Sequence, residues 1–295
     1  MIKLDLYRIF CEVAKCQSFS KAAASLYMTQ PAVSQAMMQL ERELDARLFT
    51  RTSRGVTLTN EGSMLYEYIN SAMNLINTGE NKLSEIKNLL MGELRIGVGD
   101  TASRYFLLPY LEKFHYRYSN IRLRISNGTT MELRDMLKAG EIDIAICNLP
   151  IEDDSLEIAK CMDVHDIFVC GEMYHKLLSK GISLRDIAGY PLILLETKSN
   201  SRNYVESYML SKGISIKPEI ELGSHELLLE FAKINLGISC VIKEFSQDYL
   251  KSSVVHEIKL TEEIPARSIG VCFLKSIALS PATSKFVDTL EIRST

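Results

Sequence analysis

Between Asn60 and about Leu90 the chain carries a helical stripe too long for one small domain to absorb. Leu65, Ile69, Ala72, Ile76, Leu83, Ile86 and Leu90 fall on an alternating 4,3 repeat, with Gly79 at the one position that is not apolar. Apolar residues at that spacing share one face of an α-helix. At ~1.5 Å per residue the rod is on the order of 45 Å long. A single narrow stripe needs a partner surface, and a second copy of itself is the economical one. The bland alternative is a core helix of one globular domain, which seldom runs so far. The stripe predicts a linker and dimerisation helix over residues 60–91, dividing the 295-residue chain into a small N-terminal part, 1–59, and a body, 92–295.

The N-terminal part reads as three helices and a hairpin. Leu6, Phe10 and Val13 stand at i, i+4 and i+7 of a first amphipathic helix. Ser18 or Ser20 caps a second, in which Ala22, Ala23 and Ala24 admit a close backbone neighbour, and which ends near Tyr27. Thr29 caps a third with Pro31 in its first turn, where a missing N–H costs nothing. Val33, Met37, Leu40 and Leu44 form its buried face. Helix, short turn and capped helix with a polar outer face make a helix-turn-helix pattern. FTRTSRGVTLT, residues 49–59, follows as a two-stranded hairpin around Ser53-Arg54-Gly55, a wing.

On the third helix Gln30 and Ser34 share a face, flanked by Gln35 and Gln39, opposite the apolar stripe. Gln can bond adenine with two hydrogen bonds, and Ser can donate to or accept from several base edges. Arg51 and Arg54 on the wing suit phosphate or the minor groove, holding register rather than reading sequence. The expected DNA-contacting set is Ser18, Ser20 and Lys21, then Thr29, Gln30, Pro31, Ala32, Ser34 and Gln35, and Arg51, Thr52 and Arg54 on the wing. A small helical domain with a polar surface carries the same pattern.

Charge separates the two parts. Lys and Arg number 34 against 37 Asp and Glu, a formal net charge of −3 that by itself speaks against nucleic acid. Residues 1–60 hold eight basic and five acidic side chains, +3, which leaves −6 on the remaining 235. A basic segment on an acidic body points to nucleic acid for the small part only. A head of +3 holds DNA weakly at physiological salt, because affinity grows with the number of phosphates neutralised, and two heads on one dimer repair that.

Beyond Gly92 the periodicity changes. ELRIGVG, IRLRIS, DIAIC, DIFVCG, PLILLE, ISCVI and SIGVCFL read as strands, and 105–118, 131–139, 203–211 and 226–236 as helices. The alternation predicts an α/β body with parallel sheets, in two lobes with a cleft between them. Lobe I spans about 92–162 plus 267–295 and lobe II about 163–266, with crossovers at Asp163–Asp166 and Ile264–Arg267.

Residues 18–62, SFSKAAASLYMTQPAVSQAMMQLERELDARLFTRTSRGVTLTNEG, resemble the winged helix-turn-helix of LysR-type transcriptional regulators, with AA-x-x-L, T-Q-P-A-V-S, L-E-x-E-L and L-F-x-R in the family's order and spacing. The resemblance continues through GELRIGVGDTASRYFLLPYLEKF, LKAGEIDIAI, SLRDIAGYPLILLE and SIGVCFLKSIALSPATSKFVDTL, and so covers essentially the whole chain. It implies a winged helix-turn-helix, a linker helix and a two-lobed effector domain like a periplasmic binding protein. It further implies a homodimer or tetramer that binds interrupted inverted repeats in double-stranded DNA and responds to a small co-inducer. The co-inducer itself is not implied.

Ligands of open α/β sheets bind at loops after the carboxyl ends of strands. The expected ligand residues are Thr101 and Ser103 after the first strand, Thr129 and Thr130 after the second, and Asn148 after DIAIC. Lobe II contributes Ser199, Ser201 and Arg202 after PLILLE, and Ser224 and His225 after IEL. Hydroxyls around one cation, Arg202, suit a small anionic or polar metabolite; as loop residues, the same Ser, Thr and Asn are also turn formers.

Other chemistries find less support. Gly97-Val98-Gly99-Asp100-Thr101-Ala102 matches the dinucleotide fingerprint formally, but the strand IRLRISNG ends without the acid that would hold a ribose. The turn suits an anion site, or a plain helix cap. The five histidines never pair at metal-ligand spacing, no C-x-x-C occurs, and no nucleophile elbow or P-loop appears, so no cofactor, metal or catalysis is expected. Seven cysteines without framework spacing fit reduced thiols in a cytoplasm, and no run of ~18 apolar residues spans a membrane. Two alternatives to a DNA-binding regulator follow: a solute-binding-like metabolite sensor acting through protein contacts, and a thiol redox-sensing regulator built on the pair Cys161 and Cys170.

Overall fold

The first turn of each N-terminal helix after the first is set by a local cap. In the computed structural model, which describes residues 2–52, 55–87, 92–290 and 292, α1 spans Leu4–Cys16, α2 Phe19–Ser25 and α3 Gln30–Leu44. The Ser18 hydroxyl, rather than Ser20, accepts from the Lys21 N–H at 3.3 Å and starts α2. Thr29 accepts from the Ala32 N–H at 3.4 Å and starts α3, with Pro31 in the first turn. Each such cap satisfies a donor the helix cannot. Phe10, Val13, Ala22, Val33, Met37 and Leu40 close over one another in a shared core.

A hairpin follows α3. Strands β1 (Phe49–Thr52) and β2 (Gly55–Leu58) pair antiparallel, with Phe49 opposite Leu58 and Thr52 opposite Gly55. The Glu41 carboxylate accepts from the N–H groups of Leu48 and Phe49 at 2.7 and 3.2 Å, tying the strand to α3. Gly55 has φ +140°, and a Cβ there would lie 2.5 Å from the Gln17 carbonyl oxygen. Both facts demand glycine. Gly55→Ala is expected to destabilise this unit by about 1–3 kcal/mol, read as a lower thermal midpoint; an unchanged midpoint would mean the hairpin relaxes freely.

Helix α4 (Asn60–Lys87) has 28 residues. Its apolar stripe is divided. Leu65, Tyr66, Ile69 and Met73 pack on the core of the three-helix unit, whereas Met64, Tyr68, Leu75, Ile76 and Leu83 are exposed. The stripe therefore serves two neighbours: the chain's own head covers the first turns, because α4 begins beneath it, and the later turns are left exposed. The side chain of Ile86 and all of Leu90 lie outside the described residues. The chain forms two compact units, Met1–Ser84 with Lys138–Glu141, and Glu85–Leu137 with Ile142–Thr295.

The second unit holds two five-stranded sheets. The first contains β3 (Gly92–Val98), β4 (Ile121–Asn127), β5 (Ile144–Asn148), β6 (Leu156–Val164) and β12 (Arg267–Leu274), in the order β4-β3-β5-β12-β6. The second contains β7 (Asp166–Cys170), β8 (Leu192–Leu195), β9 (Ile220–Leu222), β10 (Ile238–Ile242) and β11 (His256–Glu257), in the order β11-β7-β10-β8-β9. The chain crosses between the sheets at His165 and again just before Arg267. The sheets are mixed, which corrects the expectation of parallel sheets. β3 runs parallel to β4 and β5, and β8 to β9 and β10, but β12 is antiparallel to β5 and β6, and β7 to β10 and β11. A strand that enters from the other lobe needs no helical crossover, so nothing obliges it to run parallel.

Helices connect the strands: α5 (Asp100–Ala102), a π-helical turn at Ser103–Leu107, α6 (Leu108–Arg117), α7 (Thr130–Lys138), α8 (Leu184–Ile187), α9 (Asn200–Ser211), α10 (His225–Lys233), α11 (Gln247–Lys251) and α12 (Pro281–Val287). Lobe I buries Leu94, Ile96, Phe114 and Phe286, the two rings packed edge to face at 5.1 Å. Lobe II buries Phe168, Leu192, Val205, Met209 and Ile238. β6 is absent from the strands expected on sequence, because it lies at a sheet edge and the run LEIAKCMDV is not continuously apolar. Among the described residues no helix is long and apolar enough to cross a membrane.

Candidate functional site

The outer face of α3 presents polar side chains without a large partner. Gln30, Pro31 and Gln35 are exposed and Ser34 half-buried. The Gln30 side-chain amide donates to the Ser34 hydroxyl at 2.8 Å, so the two candidate base-reading groups hold each other in place. Ser20, Lys21 and Thr29 are exposed beside them, while Ser18 and Ala32 lie at the two helix starts. Arg51 and Thr52 stand on β1, with backbones opposite Val56 and Gly55. Arg54 lies outside the described residues. Tyr27, which sequence reasoning treats only as a helix end, is 99% exposed in the turn before α3 and has φ 54°.

In the second unit, a cavity of about 230 Å³ opens where strand ends of the two lobes meet. Thr101, Thr129, Thr130 and Asn148 line it from lobe I, and Ser199, Ser201 and His225 from lobe II. Most of them occupy first helical turns rather than loops, since α7, α9 and α10 begin within a residue or two of the cavity wall. Helix starts leave backbone N–H groups without intrahelical partners and carry the positive end of the helix dipole.

Three expected ligand residues do not reach the cavity. Ser103 enters the π-helical turn, and Ser224 precedes α10 with no side-chain cap bond. Arg202 is buried at the start of α9. Its guanidinium donates to Glu206 and to the Leu195 carbonyl, each at 2.8 Å, and stands 2.8 Å from a Glu221 oxygen. The expected cation is thus engaged by two acids, because a buried guanidinium must pair with what surrounds it. Lys198 lines the cavity in its stead.

Sequence reasoning also misses Asn127, Glu132, Glu196, Asn200 and Phe245, all on the cavity wall. Phe245 follows the strand ISCVI, and the strand-end rule applied to that loop finds it. The Glu132 carboxylate accepts from the Thr129 N–H and hydroxyl at 2.8 and 2.9 Å, which hold its carboxyl below the usual range. The Asn127 amide donates to Asp100.

Behind the cavity a buried cluster joins the lobes. Arg267, at the second crossing, forms a two-pronged pair with Asp166, at the first, at 2.6 and 2.9 Å. The same guanidinium donates to Asn148 Oδ1 at 2.7 Å and to the Ser201 hydroxyl at 3.0 Å. Asn200 adds a bond to the Asn148 carbonyl at 2.7 Å. Two residues of the cavity wall, Asn148 and Ser201, therefore rest directly on the ion pair.

His225 is 3% exposed and packed edge to face against Tyr105 and Phe245. Its Nε2 accepts from the Ile242 backbone N–H at 3.1 Å. Burial, with the Arg267 charge nearby, pushes the imidazole down to about 4, so the ring is neutral near pH 7. The cysteines are all free thiols. Burial pushes Cys11 and Cys170 each up to about 11 and raises Cys161, which opposes the thiolate that redox sensing requires. Among the described residues no group of three or more His, Cys, Asp or Glu could hold a metal ion.

Comparison with known proteins meets both units. Residues 4–63 match the bacterial regulatory helix-turn-helix protein, lysR family, and residues 87–293 match the LysR substrate binding domain. A "RuBisCO operon transcriptional regulator" of Allochromatium vinosum is 29% identical over 286 residues, covering 97% of this chain and 94% of that protein. A full-length OxyR variant from Pseudomonas aeruginosa superposes with a TM-score of 0.73 at 20% identity, covering 100% of this chain and 99% of that one. Full-length CbnR in complex with its target DNA gives 0.69 at 18% identity, covering 98% and 99%. With the helix-turn-helix over α1–α4 and the substrate-binding fold over both lobes, this chain belongs to the LysR family of transcriptional regulators.

Proposed function

We propose that the chain regulates transcription by binding promoter DNA through α3 and the β1–β2 wing, under control of a small molecule held in the cavity between the two lobes, without catalysis of its own. The observation that carries this reading is the cavity itself: its wall is drawn from both lobes, and Asn148 and Ser201 tie it to the Arg267–Asp166 pair where the chain crosses between them. A ligand that touches both lobes favours one of their arrangements over the other, and that differential affinity is all a regulator needs. Exposed Tyr68, Leu75, Ile76 and Leu83 on α4 support self-association through that helix, as a dimer or tetramer.

Binding isotherms on promoter DNA test the reading. Ser34→Ala and Gln30→Ala are expected to relax base preference, each costing about 1–3 kcal/mol of discrimination at one position. Arg51→Ala is expected to weaken all sequences alike and to lower the salt slope by about one. Isotherms unchanged by all three would overturn the assignment of α3 and the wing. The metabolite-sensor alternative instead predicts no salt-dependent DNA binding.

A further inference from the structure

We infer that Tyr27, in the turn between α2 and α3, is a further DNA-contacting residue, whose hydroxyl donates a hydrogen bond to a backbone phosphate at the edge of the major groove. The inference rests on the reading of α3 as the helix that enters the groove, and adds to it a side chain outside the expected contact set.

The turn fixes the backbone of Tyr27. Helix α2 ends with the Met28 N–H donating to the Ala23 carbonyl at 2.9 Å and the Tyr27 N–H to the Ala24 carbonyl at 3.2 Å. That pair of bonds is the Schellman motif, which holds the second residue beyond the helix in the left-handed region. Tyr27 accordingly has φ 54°. Glycine takes such a position freely, whereas a residue with a Cβ is strained there. The other described non-glycine residues at positive φ are Gln17, Asp45, Asn235 and Ser253, all polar and none aromatic.

Nothing inside the described fold offsets the strain. Tyr27 is 99% exposed, so its ring buries almost nothing against the chain and its hydroxyl faces solvent. A strained residue that gains nothing from its own fold points to a partner outside it.

Position names the partner. In a helix-turn-helix the first helix crosses the phosphate backbone, and the N-terminal residues of the second enter the major groove. The turn between them lies where backbone gives way to groove. Tyr27 precedes Gln30 by three residues, which at ~3.6 Å per residue keeps their Cα atoms within about 11 Å of each other. The groove is about 12 Å wide, so a tyrosine side chain that near a base-reading residue reaches the phosphates of one wall. Tyrosine is among the side chains that donate to phosphate oxygens, a contact that holds register and carries no base preference. Being uncharged, the hydroxyl neutralises no phosphate and releases no counterion.

The test uses the full-length protein and a duplex selected from a random-sequence pool by the unsubstituted chain, with affinity read by fluorescence anisotropy over a series of salt concentrations. Tyr27→Phe keeps the ring and removes only the hydroxyl. It is expected to weaken binding about tenfold, the effect of one hydrogen bond to a charged group. The salt slope and the ranking of single-base variants of the duplex are expected to stay as they are. Tyr27→Gly is expected to weaken binding at least as much while raising the thermal midpoint of the small N-terminal unit by about 4–8 °C, because glycine relieves the left-handed strain. Affinity lost while stability rises separates a contact with DNA from a role in holding the turn.

Undiminished binding by Tyr27→Phe would overturn the inference, whatever Tyr27→Gly does. So would a lower thermal midpoint for Tyr27→Gly, which would make the tyrosine a structural residue of the turn. A salt slope lowered by one, or an altered base ranking, in Tyr27→Phe would overturn it as well. Selected DNA whose binding falls with Gln30→Ala but ignores Tyr27 sinks the inference alone. A pool from which the unsubstituted chain selects nothing sinks the DNA-binding reading and the inference with it.

Discussion

Asp166→Ala is expected to cost the effector-binding unit about 3–5 kcal/mol, the range for removing one partner of a buried ion pair. The side chains of Arg267 and Asp166 are 1% and 3% exposed. Without the carboxylate, the guanidinium keeps only neutral partners, the Asn148 amide oxygen and the Ser201 hydroxyl. A charge so placed can neither reach water nor lose its proton. For a unit of this size, each kcal/mol moves the thermal midpoint by about 2–4 °C, so a fall of roughly 6–20 °C is expected by calorimetry. Replacing both partners together, Asp166→Leu with Arg267→Met, should recover most of the loss, because the uncompensated charge is then gone. A small effect of the single substitution would mean that water enters the cluster. Asn148 and Ser201 rest on this pair, so the single variant should also perturb the cavity wall.

The second large effect is on acid stability. His225 titrates at about 4 in the folded protein against 6.5 for a free imidazole. As pH falls through 6.5 the unfolded chain takes up a proton that the folded chain refuses. Stability is therefore whole above pH 6.5 and declines down to about pH 4. At 1.36 kcal/mol per unit, the loss between pH 7 and pH 5 is about 2 kcal/mol. Urea midpoints of the wild type and of His225→Gln, measured across that interval, isolate the contribution. The wild type should lose stability more steeply than the variant, whose side chain does not titrate. Parallel curves would mean that the imidazole becomes charged in the folded protein.

How much of this is legible in the chain depends on the range of the contacts involved. The caps at Ser18 and Thr29 act over three residues, and the buried series Val33, Met37 and Leu40 over seven; both are readable as spacing. The hairpin is equally local, and its strands pair from Phe49 to Leu58. Sheet direction is not legible: DIFVC and SIGVCFL are apolar runs like any buried strand, and nothing within them tells that they run antiparallel to their neighbours. The strand-end rule leads to Thr101, Thr129, Asn148, Ser199 and His225 because loop position is a topological property. It cannot tell which side chains turn inward, and so it takes Arg202 for a cavity residue and passes over Lys198 and Phe245.

The sequence by itself determined the division of labour: a basic helix-turn-helix head, a long helix and an α/β body, each written in local periodicity, capping and charge. Tertiary structure decided which groups remain available for chemistry. Arg202 is engaged by Glu206 and Glu221, Arg267 meets Asp166 across 101 positions, and His225 is left with one donor unpartnered beside the cavity. The physical reason is common to all three. Hydrogen bonds and ion pairs of buried groups depend on neighbours brought together by the packing of distant strands, and no spacing rule along the chain encodes those distances.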